Sequence, residues 1–381
     1  MKNAQLENGS MSRRQFVSAA AVTAASLTLA GCSDEEDDSS EEEATEDTEE
    51  TEESEDAEES EEEEEETEES DSDSDGDSDE ELTAVTFVLD YTPNTNHTGI
   101  YVALSKGYFT DEGLDVEIMQ PPEDGADALI GAGGADMGVT YQDYIANNLA
   151  SDTPMPYTAV AAVVQHNTSG IMSRAEDGIT RPALMEGHTY ATWNLAVEQA
   201  MVQHVVEADG GDFSLVELVP CEVDDEVTGL RAELFDTIWV YEGWAVQNAI
   251  VQDFDYNYFS FISIDDVFDY YTPVIAVNDD FASENPDVVK AFLRAVKKGY
   301  EYAAENPDES ASILLEEVPE LDEDLIRQSQ SYLSGEYISD AESWGVIDAD
   351  RWAAFYEWLN ENDLVENEID PSSGYDLSYL E

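Results

Sequence analysis

Residues 84–106 read AVTFVLDYTPNTNHTGIYVALSK, and this passage decides the fold. Ala84 to Asp90 is a short apolar run of strand type, and helical periodicity begins near His97 and runs to Lys106. Between them lies the polar loop Asp90-Tyr91-Thr92-Pro93-Asn94-Thr95-Asn96-His97-Thr98-Gly99. Strand, loop and helix in that order make an α/β unit. A loop so rich in polar side chains at a helix amino end is a natural place to hold a ligand, and Asp90, Tyr91, Asn96 and His97 are its candidates. The plainer alternative is that Thr95 or Asn96 only caps the helix.

The same alternation continues outward. Further strands are predicted at 114–119, 135–140, 157–164, 188–193, 215–219, 234–241, 257–263 and 272–277, with helices near 124–132, 142–150, 195–208 and 242–251. Beyond 280 the pattern is wholly helical. Pro286 opens a helix whose Val289, Phe292, Leu293, Val296, Tyr300 and Ala303 share one face, and helices follow at 308–317, 322–333 and 348–361. A body of 300 residues exceeds what one core usually holds. Two sets of strand-helix units followed by returning helices predict two α/β lobes: 82–173 with 272–381, and 174–271. The chain would cross between them near 171–176 and 268–274. A cleft between such lobes is lined by the carboxyl ends of strands and the amino ends of helices.

The 381 residues hold 92 acids and 13 bases, a net charge of −79. Residues 33–81 contribute 33 acids and no base, and residues 82–381 hold 58 acids and 10 bases. Clustered Lys and Arg are what nucleic acid requires, so nucleic acid is excluded as a partner. A surface this acidic suits concentrated salt, where the Debye length falls to about 3 Å at 1 M. The 33–81 tract is Glu, Asp, Ser and Thr almost throughout and reads as a disordered, self-repelling spacer. Asp71, Asp73, Asp75 and Gly76 start like a calcium loop, but Leu82 stands where a bidentate Glu is needed.

At the amino terminus, Arg13 and Arg14 precede an apolar stretch from 17 to 30, too short to span a bilayer comfortably. The segment 1–32 reads as a twin-arginine export signal. Its Leu29-Ala30-Gly31-Cys32 ending resembles a lipobox, which implies lipidation at Cys32, anchorage to the membrane and an extracytoplasmic location. Cys221 is the one other cysteine, so a structural disulfide is not expected and a packed thiol is. No Cys-His pair or Glu-rich His motif marks a metal or nucleophile, and His166, His188 and His204 are scattered. Neither a metal nor a cofactor is expected.

Strand ends supply the remaining candidates: Thr140, Tyr141 and Gln142 in the first lobe, with Tyr271 on the return crossing; Trp193, Glu198, Tyr241, Glu242 and Trp244 in the second. A flat heteroaromatic ring between aromatic side chains gains about 0.5–1.5 kcal/mol per pair beyond area burial. Asp90 or Glu242 could accept hydrogen bonds from ring amino groups, which a carboxylate does about twice as strongly as a neutral acceptor. Glu242 could equally be a helix amino-end carboxylate.

Leu89 to Gly99, Lys106-Gly107-Tyr108-Phe109, Gly113-Leu114-Asp115-Val116, Ala135-Asp136-Met137-Gly138-Val139 and Ser169-Gly170-Ile171 together resemble the solute-binding proteins of ABC importers that include thiamine-pyrimidine precursor binders. Trp239 to Trp244, Asp269 to Val274 and Ser329 to Leu333 continue the resemblance, which spans nearly all of 84–381. It implies a two-lobed periplasmic-binding-protein fold of type II that closes on a small heteroaromatic nutrient, most of all a thiamine pyrimidine precursor. Permease and ATPase subunits would be its partners, and the protein would be a monomer without enzyme activity. Riboflavin-like rings, sulfonates and nitrate occur as ligands in the wider superfamily, although sulfonate or nitrate would favour Arg or Lys. The superfamily also contains a eukaryotic synthase that makes the thiamine pyrimidine from pyridoxal phosphate and one of its own histidines. His97 falls where that loop carries a histidine, but the synthase's cysteine-rich run before Asn278-Asp279-Asp280-Phe281 corresponds here to 271–277, which lacks Cys.

Overall fold

The computed structural model describes residues 82–381 except Glu222 and Asp224. The expected export signal with Cys32, the expected 33–81 spacer and the calcium-like run at Asp71 lie outside the described residues.

The expected alternation is present. The first half runs β1 (Thr83–Val88), α1 (Thr98–Ser105), α2 (Tyr108–Asp111), β2 (Leu114–Met119), α3 (Ala126–Gly131), β3 (Met137–Thr140), α4 (Gln142–Leu149) and β4 (Tyr157–Ala162). The second runs β5 (Ser169–Arg174), β6 (Thr189–Thr192), α5 (Ala196–Ala208), β7 (Glu217–Pro220), α6 (Glu226–Arg231), β8 (Thr237–Tyr241), α7 (Gln247–Val251) and β9 (Tyr256–Ser260). After β10 (Val274–Asn278) come α8 (Asp279–Glu284), α9 (Pro286–Glu305), α10 (Pro307–Glu317), α11 (Glu323–Glu336) and α12 (Ala349–Glu361).

These strands form two five-stranded sheets, ordered β2-β1-β3-β10-β4 and β7-β6-β8-β5-β9. Both follow one plan. Three parallel strands put the first in the centre, and next to them lies one antiparallel strand that has just arrived from the other sheet: β10 against β3 and β4, β5 against β8 and β9. The strand order reverses at β1/β3 and again at β6/β8, and in open α/β sheets such reversals open a crevice at the carboxyl ends.

One boundary differs from the sequence reading. Ser169–Arg174 belongs to the second sheet, so the first crossing precedes Ser169 instead of falling at 171–176. Only Ile171 and Met172 are apolar in that strand, and its Ser, Gly and Arg disguise it; yet all six residues are buried. Gly170 is needed there because a Cβ would meet the Phe259 carbonyl oxygen at 2.2 Å. The chain returns to the first sheet after Asp269. Both sheets lie within a single compact unit, and one apolar cluster draws on both, joining Ala159 and Val274 to Ile171 and Trp239 through Phe355 and Trp358 of α12.

Helix α9 buries the face its periodicity predicts, Val289, Phe292, Leu293, Val296, Tyr300 and Ala303, against α1 and the first sheet. The crossing is tight: a Cβ on Gly299 would lie 2.0 Å from the Gly99 carbonyl oxygen and 3.1 Å from Ala103 Cβ. Gly299→Ala therefore destabilises. Alanine's helix preference contributes about 1 kcal/mol, but prising α1 from α9 costs about 1–3 kcal/mol in overpacking, and two close approaches put this site at the upper end. A urea melt showing no loss relative to the parent would contradict that ranking.

Candidate ligand-binding site

Four strand ends meet at the two reversals: Asp90 follows β1, Tyr141 follows β3, Trp193 follows β6, and Tyr241 ends β8. The Asp90 carboxylate is the anchor. One oxygen accepts from His97 Nε2 at 2.6 Å and the other from the Tyr141 hydroxyl. His97 is fully buried and its Nδ1 accepts the Asn94 backbone N–H at 3.1 Å, so Nε2 carries the hydrogen given to Asp90. Asn94, not Thr95 or Asn96, caps the short turn 95–97 by accepting from Asn96 N at 2.9 Å. Thr95 shares a 2.6 Å hydrogen bond with Ser329 of α11, while the Asn96 carbonyl accepts the Tyr300 hydroxyl at 2.6 Å. The whole loop is thus pinned from beneath.

Burial alone would push the Asp90 carboxyl up, but the hydrogen bonds from His97 and Tyr141 outweigh it and hold it below the ordinary value. Tyr141 is driven the other way, well above its ordinary value, by burial and by the Asp90 charge. Because the folded-state value of Asp90 is depressed, its contribution to stability is complete above the unfolded value of about 4 and disappears as pH falls below it. An Asp90→Asn variant should therefore show a shallower fall in melting temperature between pH 5 and pH 3 than the parent; parallel curves would contradict the network.

The second sheet faces this anchor with Tyr241. The residue is 38% exposed, yet its hydroxyl is sheltered: burial first, then the charge of Asp143 and more weakly that of Asp90, pushes it up, and it shares a hydrogen bond with Thr272. Tyr144 meets Tyr141 edge-on with ring centroids 5.0 Å apart and acts on Tyr241 as well. Tyr270 is raised by burial, Asp143 and Tyr241, and hydrogen-bonds Asn167. Trp193 stands 5.8 Å from Trp239, which packs edge-on to Phe261 at 4.3 Å. Cys221, half-buried, receives a hydrogen bond from Trp193, and burial raises its thiol, as befits a packed group. Thr140 is 2% exposed, and its hydroxyl has no partner among the described residues.

Several expected contacts are engaged within the protein itself. Gln142 is fully buried, giving Nε2 to the Trp352 carbonyl at 2.8 Å and accepting Tyr271 N at 2.8 Å. Tyr271 packs on α12, its hydroxyl accepting Asp348 N at 2.8 Å and its ring 6.2 Å from Trp352; Tyr270 stacks on Phe355 of the same helix at 4.1 Å and is the one that Tyr241 acts on. Glu198 is 4% exposed, with both oxygens occupied by Tyr190, Thr192 and the backbone N–H groups of Trp193 and Leu195. It fixes the turn that presents Trp193. Glu242 bonds Tyr332 of α11, with its carboxyl raised by burial, and Trp244 joins the apolar cluster of Tyr101, Leu314 and Ile326. Tyr91 is 61% exposed. Asp143, Tyr144, Tyr270 and Asn167, which are not among the residues singled out from the sequence, also gather beside Tyr141 and Tyr241; the first two begin a helix at a strand end.

No group of His, Cys, Asp and Glu able to hold a metal occurs among the described residues, and no described helix is long and apolar enough to cross a membrane. A groove of about 420 Å³ between α7 and α11, lined by Ile250, Val251, Asp324, Arg327 and Gln328, lies away from the four strand ends.

Residues 94–310 match the family described as NMT1/THI5 like, more than half of the chain. The chain belongs to this family. Within it, the chain is similar to the formylaminopyrimidine-binding protein of Halalkalibacterium halodurans, 32% identical over 299 residues covering 76% of this chain and 89% of that one. It is also similar to a 4-amino-5-hydroxymethyl-2-methylpyrimidine phosphate synthase, THI11, of Saccharomyces cerevisiae, 25% identical over 253 residues covering 63% and 73%. The fold is that of the periplasmic aliphatic sulphonate binding protein SsuA of Escherichia coli, with a TM-score of 0.62 at 14% identity over 77% of this chain and 97% of that one. The two-lobed α/β architecture expected from the sequence is therefore established as a periplasmic-binding-protein fold.

Proposed function

We propose that this NMT1/THI5-like protein is the solute-binding component of an ABC importer and carries a thiamine pyrimidine precursor, unaltered, to permease and ATPase subunits. The observation that carries the proposal is the Asp90–His97–Tyr141 network on the first sheet facing Tyr241 of the second. A carboxylate fixed by two donors still has lone pairs for a ring amino group. Tyr141, Tyr144, Tyr241, Tyr270 and Trp193 supply aromatic faces for the ring, and Thr140 a free hydroxyl. Contacts from both sheets stabilise the closed form in proportion to their share of the binding energy, and that form is what the importer reads. The groups gathered here are acids and hydroxyls, which suits an amine-bearing ring better than sulfonate or nitrate. In keeping with an exported protein, Cys32 would carry the lipid and residues 33–81 the tether to the membrane.

His97 bears on the synthase alternative. Both its ring nitrogens are engaged inside the protein and no part of it is exposed, an arrangement that serves to orient Asp90 and leaves no nitrogen free for chemistry. Calorimetric titration of the full chain in molar KCl with formylaminopyrimidine, riboflavin and an alkanesulfonate should give tight 1:1 binding of the pyrimidine alone. Preference for riboflavin or the sulfonate would overturn the ligand class.

A further inference from the structure

Helix α11 belongs with the first sheet, since its Leu333 lies in the apolar cluster of Phe87, Met137 and Ile275. The π-helical turn Glu242–Val246 that follows β8 belongs with the second, where Ala245 and Val246 pack with Met172 and Val240. The two elements meet closely. A Cβ on Gly243 would lie 2.8 Å from Leu333 Cδ2, Gln328 gives its amide hydrogen to Gln247 Oε1 at 3.0 Å, and Tyr332 bonds Glu242. The turn's Trp244 packs with Leu314 and Ile326. Within this contact sits Ser329, fully buried.

The direction of the hydrogen bonds through Ser329 follows from its chemistry. Its Oγ carries one hydrogen, which goes to the Gly243 carbonyl, a group that can only accept. The 2.6 Å bond to the Thr95 hydroxyl then runs with Thr95 donating, and this fixes the serine hydroxyl in its aim at Gly243. Thr95 is two residues from His97 in the ligand loop, and Gly243 is two residues from Tyr241. We infer that Ser329 is a positioning residue that sets the spacing of the two walls of the ligand site, joining the Asp90–His97 loop to the Tyr241 strand end through Thr95 and Gly243. The inference rests on the binding role proposed above and adds a residue that acts on the ligand through others. When the sheets part, Ser329 and Gly243 exchange each other for water, so their bond favours the closed form alone. In that form Thr95 and Gly243 are buried, and removing the serine hydroxyl takes an acceptor from one and a donor from the other. The loss therefore falls on the escape of the ligand more than on its entry.

The test follows formylaminopyrimidine binding to the full chain in molar KCl by stopped-flow fluorescence. Ser329→Ala should release the ligand about tenfold faster while association changes about threefold or less. Thr95→Val, which keeps the bond to Gly243 but no longer aims it, should release it about threefold faster. Ser334→Ala removes a hydroxyl that bonds the Ser331 carbonyl within α11 and should match the parent. Ligand-free melting curves report whether each variant folds; should Ser329→Ala not fold, Thr95→Val decides. A lowered melting temperature with unchanged release, or a change of equal size in release and association, would overturn the positioning role while leaving pyrimidine binding intact. A parent that binds no pyrimidine would overturn the ligand class alone, and hydrogen exchange of the ligand-free chain would then decide the role of Ser329. Residues 94–98 and 242–246 should both exchange faster in Ser329→Ala, and unchanged exchange at 242–246 would overturn the inference.

Discussion

Replacing Asp90 by alanine should weaken pyrimidine binding by about 10- to 100-fold, since a hydrogen bond to a charged group contributes about 1.5–3 kcal/mol. The loss has two sources. The ring amino group loses its acceptor, and His97 Nε2–H and the Tyr141 hydroxyl, both of which give their hydrogen to this carboxylate, lose theirs. Tyr141 is then free to leave the position in which it meets Tyr144, and the aromatic face it offers is no longer fixed. Asp90→Asn separates the two effects: the amide keeps one oxygen for one donor but presents an N–H₂ to the other, so its affinity should lie between parent and alanine. Calorimetry checks both variants, and unchanged affinity in Asp90→Ala would show that the anchor lies elsewhere.

The second large effect concerns stability. Trp352→Ala should cost about 3–5 kcal/mol, the range for truncating a large buried aromatic. Trp352 is fully buried on α12 and its indole N–H is given to the Ser373 carbonyl at 2.9 Å. Its ring packs with Tyr271, Tyr356 and Tyr375, and its own carbonyl receives the Gln142 amide. The substitution therefore opens a cavity where the return crossing, α4 and α12 meet, next to the stacked Tyr270–Phe355 pair at 4.1 Å. Denaturant melts in molar salt measure the loss. A cost below about 1.5 kcal/mol, the level of a volume-conserving swap, would mean that this junction is not what holds the crossing in place.

Much of this architecture could be read in advance because periodicity reports burial directly. The α9 face and the runs of β1, β3 and β10 are apolar where they are covered, and the strand-loop-helix order placed Asp90, Tyr141, Trp193 and Tyr241 at strand ends. What escaped was the strand that crosses between sheets. Ser169–Arg174 is buried by neighbours on both sides and has few apolar residues, so its membership in a sheet depends on partners distant in sequence. The candidate side chains were legible as strand ends, to the nearest residue or two. On the return crossing, Tyr270 and Tyr271 both pack on α12, against Phe355 and Trp352, and only tertiary packing decides which of them Tyr241 acts on. Gln142 and Glu198 are alike: polar residues at strand-helix junctions, they satisfy backbone groups that the junctions themselves leave open, which only the folded partners reveal.

Carriage without chemistry is most directly tested by recovering the cargo. Full chain incubated with formylaminopyrimidine, freed of unbound ligand by gel filtration in molar KCl and then denatured, should yield one intact pyrimidine per chain by mass spectrometry, with His97 unmodified. A chain that returns no pyrimidine, a pyrimidine of altered mass, or a peptide in which His97 has been consumed would contradict the account.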